Sequence, residues 1–148
     1  MSFDEAWQAI ADVDGWMTKG QGRALYEAAA ACPPEGRIVE IGCFQGRSTI
    51  MIALAAPPGV EIVAIDPHAG NDRGPQELDG FEQAASDDHT MFEANLLAAG
   101  VGDRVTHVRQ FSDRAHEMVD GEIDVLYIDG AHRYNPARTD IRDWGARV

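Results

Sequence analysis

An α/β fold built on a doubly wound parallel sheet is predicted by three observations. Four short apolar runs, at residues 38–41, 60–65, 104–109 and 123–128, alternate with segments of helical periodicity, the imprint of β–α–β units. The first and second runs show little polar alternation, as strands covered on both faces do. The first run passes through Gly42 and Gly46 straight into a helix-forming segment. Such a turn, at the carboxyl end of a central strand, is where these sheets bind nucleotide-like ligands. Right-handed crossovers give an expected sheet order of 3-2-1-4.

The elements follow in order. Residues 2–12 read as a helix: Ser2 and Glu5 make a capping box, and Phe3, Trp7 and Ile10 share a face. Gly15-Trp16-Met17-Thr18 breaks it, with Trp16 read as a core or hinge aromatic, or else as a wall of the ligand cleft. Residues 21–32 form a second helix, ended by Pro33-Pro34. After strand 38–41, Ser48 and Thr49 stand where a helix start wants side-chain acceptors. The helix that follows, 48–56, is apolar almost all round and so is buried against the sheet. Strand 60–65 runs into Asp66-Pro67-His68. The polar stretch 67–85 is long for a connection and is read as a functional lid, or alternatively as a disordered surface insertion. A helix opening at Ser86-Asp87-Asp88 turns Phe92, Leu96 and Ala99 inward and ends at Gly100. Strand 104–109 alternates more than the others, which suits an edge. A short helix over 112–119 leads to strand 123–128, strongly apolar and so expected to be central. The last helix carries Tyr134, Ala137, Ile141 and Trp144 on one face.

With 148 residues the chain is expected to be one domain, 1–148, in which N-terminal helices (1–32) precede an α/β core (37–148). A net charge of −13 and a pI near 4.5 argue against nucleic acid and acidic membrane surfaces as partners. No apolar run approaches the roughly 18 residues of a membrane span, and Met1-Ser2-Phe3-Asp4-Glu5 does not read as a signal peptide. Cys32 and Cys43 show neither metal spacing nor a disulfide framework and are read as reduced thiols, which fits a cytoplasmic protein.

Three strand ends carry an acid: Glu40 on the first, Asp66 on the second and Asp129 on the fourth. Carboxyl ends of parallel strands share one rim, so these acids are expected to converge on one crevice. There a carboxylate can accept two ribose hydroxyls or offset an ammonium; the plainer alternative is that Asp66 and Asp129 cap the next helix. Asp66 follows Gly42 by 24 residues, the spacing of a ribose-binding acid. The dinucleotide fingerprint requires glycine at the positions of Gly42, Phe44 and Arg47, and two of those fail. A phosphate loop fails as well, with Ile41 and Arg47 where glycine and lysine belong. The ligand left is one with a ribose and an adenine-sized base but no phosphate. S-adenosylmethionine (SAM) fits: Glu40 can compensate its ammonium, and Gly42 leaves room for its chain.

The stretch Val39-Glu40-Ile41-Gly42-Cys43-Phe44-Gln45-Gly46 resembles the first motif of class I SAM-dependent methyltransferases, and Ile65-Asp66 resembles their acidic second motif. The resemblance extends to Gly15-Trp16-Met17-Thr18, Gly46-Arg47-Ser48-Thr49, Ile65-Asp66-Pro67-His68, Asn95-Leu96 and Ile128-Asp129-Gly130-Ala131-His132-Arg133-Tyr134 followed by Asp140. These are similar to a group containing macrolide-sugar O-methyltransferases and cephalosporin-hydroxylase-like proteins. The resemblance implies a Rossmann-like sheet and methyl transfer to an oxygen of a small-molecule acceptor. It implies Glu40, Gly42 and Gly46 at the methionine part, Asp66 at the ribose, and Ser112, with Asp113 nearby, at the adenine, with Ser48 also among the cofactor-binding residues. Asp129 falls where related metal-dependent enzymes hold a divalent cation; carboxylate oxygens suit Mg²⁺. His132 is the candidate general base or further ligand. His68 is a lesser candidate, and His89, His107 and His116 are expected on surfaces. Members of the group continue into a fifth strand and an antiparallel pair, whereas this chain stops at Val148. The outer edge of the fourth strand is therefore expected to be open, or covered by another chain in a homo-oligomer. The runners-up are a non-catalytic SAM-binding remnant or inactive fragment, and an NAD-dependent oxidoreductase.

Overall fold

The computed structural model describes residues 1–69, 81–130 and 134–148, excluding the side chains of 81–85 and 134. Two helices, α1 (Phe3–Ala9) and α2 (Lys19–Ala30), lead into β1 (Arg37–Ile41). Then come α3 (Arg47–Ala55), β2 (Glu61–Ile65), α4 (Phe81–Ala98), β3 (Val105–Val108), α5 (Ser112–Ala115), β4 (Val125–Ile128) and α6 (Tyr134–Gly145). All pairings are parallel, and the strand order is β3-β2-β1-β4, as the crossover rule requires.

The side-chain period of two divides each strand between two cores. On one face Ile38, Ile62 and Ala64 pack with Phe3, Leu25, Ile50 and Phe92, so α1 to α4 cover that side. On the other, Val39, Ile41, Val63 and Ile65 pack with Ala115, Val119 and Trp144 beside α5 and α6. Burial on both faces explains why β1 and β2 read as nearly continuous apolar runs. The fourth strand is the exception. Its four residues are only half-buried, and it lies at the outside of the described sheet rather than at its centre. Its half-burial goes with having no strand neighbour on its outer side among the described residues.

Helix boundaries moved where capping chemistry moved them. The Ser2–Glu5 box closes α1 as expected. A second box, Thr18 with Gln21, starts α2 at Lys19, two residues earlier than the alanine-rich run implied. The third helix has no side-chain cap; its N-cap is Gly46 at φ +91°. Ser48 and Thr49, expected to cap it, turn inward instead. Its C-terminal carbonyls are met by Arg104, whose guanidinium donates to Ala56 (3.1 Å), Pro57 (2.9 Å) and Ala53, a favourable place for a cation. The fourth helix begins at Phe81, so 81–85 belong to it rather than to the expected lid, and 70–80 lie outside the described residues. On α6 the buried positions are Asp140 and Trp144, whereas Ile141 is exposed. The expected apolar face is thus rotated by one residue towards a buried acid.

Candidate functional site

Three turns at the carboxyl edge of the sheet, one after each of β1, β2 and β4, meet around Gly42. The Gly42 amide donates to the Ile65 carbonyl (2.8 Å), and the Asp129 amide to the Ile41 carbonyl (2.8 Å). Gly42 takes φ +88°, and a Cβ there would lie 2.5 Å from Gly130 Cα. Only glycine lets the tips of β1 and β4 approach so closely. Above this junction opens a cavity of about 700 Å³, within the range of small-molecule sites. Gly42, Phe44, Asp66, Ser112 and Asp129 all line it.

Asp66 is the organising side chain. One carboxylate oxygen accepts from the Cys43 (3.0 Å) and Phe44 (2.9 Å) amides, the other from the His68 amide (2.8 Å). It therefore ties the β1 turn to the β2 turn. Both turns carry non-glycine residues in left-handed backbone, Phe44 at φ 45° and His68 at φ 46°, a conformation that persists where surrounding bonds over-determine it. Asp66 neither caps a helix nor stands idle at a rim: three amides leave about one of its four acceptor positions for a ligand.

Glu40 is placed differently from the expectation. It lies inside β1, one residue before its end, and the strand's alternation turns it away from the rim, toward α3. It is fully buried. Its carboxyl accepts from the Thr49 hydroxyl (2.5 Å) and the Ser48 hydroxyl, so it sits beneath the cavity and anchors the start of α3. Gly46 also faces the protein: a Cβ there would meet Leu96 at 2.7 Å and Phe92 at 3.2 Å, so its role is close packing against α4. Ser48 reaches both environments, lining the cavity while bonding Glu40. Ser112 lines it from the start of α5, where its hydroxyl donates to Asp140 (2.5 Å) and its carbonyl accepts from Trp144 Nε1 (3.2 Å). Burial pushes the Asp140 carboxyl up, against the pull of the Ser112 hydroxyl. His132 lies outside the described residues.

Burial raises the Glu40 carboxyl from 4.5 to about 7; the Ser48 and Thr49 bonds oppose this, and Asp66 and Asp129 add to it. The unfolded chain therefore loses this proton first as pH rises. The stability tied to it is fully present below pH 4.5, declines from there to about pH 7, and is level above. The span amounts to about 3 kcal/mol. Glu40→Gln, which cannot ionise, is expected to gain about that much relative to the parent chain between pH 4.5 and pH 8 in urea unfolding. Stability curves that stay parallel across this range would contradict a buried, late-titrating Glu40.

Sequence reasoning left Trp16 undecided and missed Arg47. Trp16 is 54% exposed and lies over the turn, with its ring 5.2 Å from that of Phe44; it lines the cavity, so the cleft-wall reading holds and the core reading does not. Arg47 lines the cavity too. It donates to the Val13 carbonyl and stands 5.5 Å over Trp7, and its buried Nε has no partner among the described residues. The Gly46-Arg47 pair beside an aromatic-rich break was the available signal.

Asp129, where Mg²⁺ was expected, lines the cavity. Among the described residues no group of three histidine, cysteine or acidic ligands includes Asp129. No chemical step is derived through a cation there.

Residues 39–148 match the family model described as Methyltransferase domain. Solved structures share the fold. The O-methyltransferase TomG from Streptomyces achromogenes, involved in tomaymycin synthesis and solved in complex with SAM, is 24% identical, with a TM-score of 0.64 over 97% of this chain and 58% of that one. The SAH-bound methyltransferase PaMTH1 from Podospora anserina is 21% identical, with a TM-score of 0.66 over 99% and 57%. The O-methyltransferase from Bacillus cereus in complex with SAH is 20% identical, with a TM-score of 0.63 over 97% and 59%. The chain thus spans less than three-fifths of the length of each.

Proposed function

Because the chain belongs to the methyltransferase domain family, we propose that the cavity above Gly42 binds S-adenosylmethionine and that its methyl group passes to an oxygen of a small-molecule acceptor. One observation carries this reading. Asp66 and Asp129 bracket a glycine turn in which Phe44, at φ 45°, lines the cavity where the dinucleotide fingerprint requires glycine. An adenosine ligand without phosphate suits that turn, and all three solved structures of the same fold compared above carry SAM or SAH.

In this reading the ribose takes the acceptor position left on Asp66, and the adenine lies toward Ser112. The methionine end lies over Gly42, with its carboxylate toward Arg47, whose Nε lacks a partner among the described residues. Glu40 acts from below by fixing Ser48 and Thr49, rather than by meeting the ammonium. The ammonium instead faces the Asp129 side, where the cavity is acidic. The sulfonium is already a good leaving group, so the protein's main contribution is to align acceptor oxygen, methyl carbon and sulfur. Asp129 orients the acceptor hydroxyl, and His132 is proposed as the base that takes its proton. Trp16 and Phe44 supply an aromatic wall for the acceptor. The acceptor is taken to be small and neutral or cationic, given the net charge of −13.

The test is methyl transfer from S-adenosylmethionine labelled in its methyl group to pooled hydroxylated small molecules, with and without Mg²⁺. Label is expected in base-stable ether products; more label with Mg²⁺ would place a cation beside Asp129, and equal label in both arms would leave the proton to His132. Binding of S-adenosylmethionine without any transfer would make this chain a holder of the cofactor rather than an enzyme.

A further inference from the structure

Four histidine and cysteine side chains that no step above uses come together behind the β1 turn. Cys43 follows Gly42 and is 2% exposed; His68 follows β2 and is 5% exposed. His107 lies on β3 and is half-buried. The ligand atoms of these three all lie within 4.8 Å of one another. His89, on α4, joins from the side, with its ring centroid 5.1 Å from His68 and 5.4 Å from His107; the His68 and His107 rings are 5.0 Å apart. His89 and His107 were expected on the surface, and their convergence is a correction by the fold.

The hydrogen bonds in this cluster are those of imidazoles prepared for a ligand. His68 Nε2 stands 2.7 Å from the Phe44 carbonyl, which can only accept, so this nitrogen carries the proton and Nδ1 the lone pair. His68 Nδ1 is buried and has no partner among the described residues. A buried acceptor without a donor costs free energy of about 1–3 kcal/mol. His107 repeats the pattern more loosely, with Nε2 3.3 Å from the Asp66 carbonyl. One ring nitrogen given to a backbone carbonyl and the other left for a cation is how metal-binding histidines are oriented.

We propose that Cys43, His68 and His107 form a binding site for a borderline-soft divalent cation of the zinc type, with His89 as the fourth ligand. Thiolate and imidazole together select zinc or cobalt over magnesium, and four such donors make a closed, tetrahedral site. A zinc tetrahedron has edges of about 3.5 Å, so drawing Cys43, His68 and His107 in from their present spread takes about 1 Å of side-chain movement, and His89, which lies outside that spread, has to swing further inward. Coordination forms a metal–sulfur bond and releases the Cys43 proton to solvent. The ion ties together the turn after β1, the turn after β2, β3 and α4, and so stiffens the glycine turn from behind. Cys43 and His68 also border the cavity, but the proposed donors are thiol and imidazole rather than its carboxylates, so the proposal stands whether or not the cavity binds S-adenosylmethionine.

The chain, prepared without a histidine tag and stripped with chelator, is titrated with Zn²⁺ and with Co²⁺. One ion per chain is expected to survive desalting, and Co²⁺ is expected to give a thiolate-to-metal charge-transfer band in the near ultraviolet. Cys43→Ser is expected to abolish that band. His107→Gln, a change on the half-buried outer strand β3, is expected to weaken retention by ten- to a hundredfold. Circular dichroism of the metal-free variants checks that they are folded. No ion retained by the parent chain overturns the proposal. So does retention at parental affinity in folded His107→Gln, which would place the ion elsewhere, as at the Asp129 side.

Discussion

Asp66→Ala is expected to weaken binding of S-adenosylmethionine by at least a hundredfold and to destabilise the chain by about 3 kcal/mol. Two separate losses combine. The Cys43, Phe44 and His68 amides lose their acceptor, and a hydrogen bond to a charged group is worth roughly 1.5–3 kcal/mol net where water cannot replace it. Part of that is recovered because Asp66 is only half-buried and water can enter. The ligand also loses its ribose acceptor, and the turn that presents Phe44 is no longer held in left-handed backbone. Calorimetric titration reads the first loss and urea unfolding the second. A variant that keeps parental affinity would show that Asp66 serves the turn alone, and that the ribose lies elsewhere.

Gly42→Ala is expected to lower the melting temperature by about 10 °C. The added methyl would sit 2.5 Å from Gly130 Cα, 2.6 Å from Gly130 N and 2.7 Å from the Asp129 carbonyl carbon. All three are backbone atoms, and the Asp129 amide bond to Ile41 (2.8 Å) holds them in place. Relief therefore requires parting the tips of β1 and β4. Left-handed strain adds to this, for a total of roughly 3 kcal/mol or more, at roughly 2–4 °C per kcal/mol for a chain of this size. Gly59→Ala is the internal control. It has a similar φ of +90° but nothing within 4 Å of the new methyl, so it should show the conformational strain alone, about 1 kcal/mol. Equal effects at the two positions would mean that close approach at Gly42 does not matter.

What could be read from the chain alone follows from how local each signal is. The strands, their order and the Gly42 turn were legible because apolar runs and a strand–turn–helix junction are local patterns. Asp66 and Asp129 were legible as rim residues because each directly follows its strand. Glu40 was not, for the opposite reason: one position inside the strand, it obeys the alternation and turns toward α3, where Ser48 and Thr49 meet it. The hydroxyls that looked like helix caps were its partners, and Gly46 capped the helix without a side chain. The start of α2 was visible in Thr18 and Gln21 but was outweighed by the alanine-rich run after them. The histidine cluster had no local signal at all. Positions 43, 68, 89 and 107 come from four elements, and only the pairing of β2 with β1 and β3 brings them within reach.

The most direct test of the central claim is calorimetric titration of this chain with S-adenosylmethionine and, separately, with NAD. The arrangement of Asp66, Gly42 and Phe44 predicts one site for S-adenosylmethionine and no heat of binding from NAD. Binding of NAD, with none of S-adenosylmethionine, would contradict it.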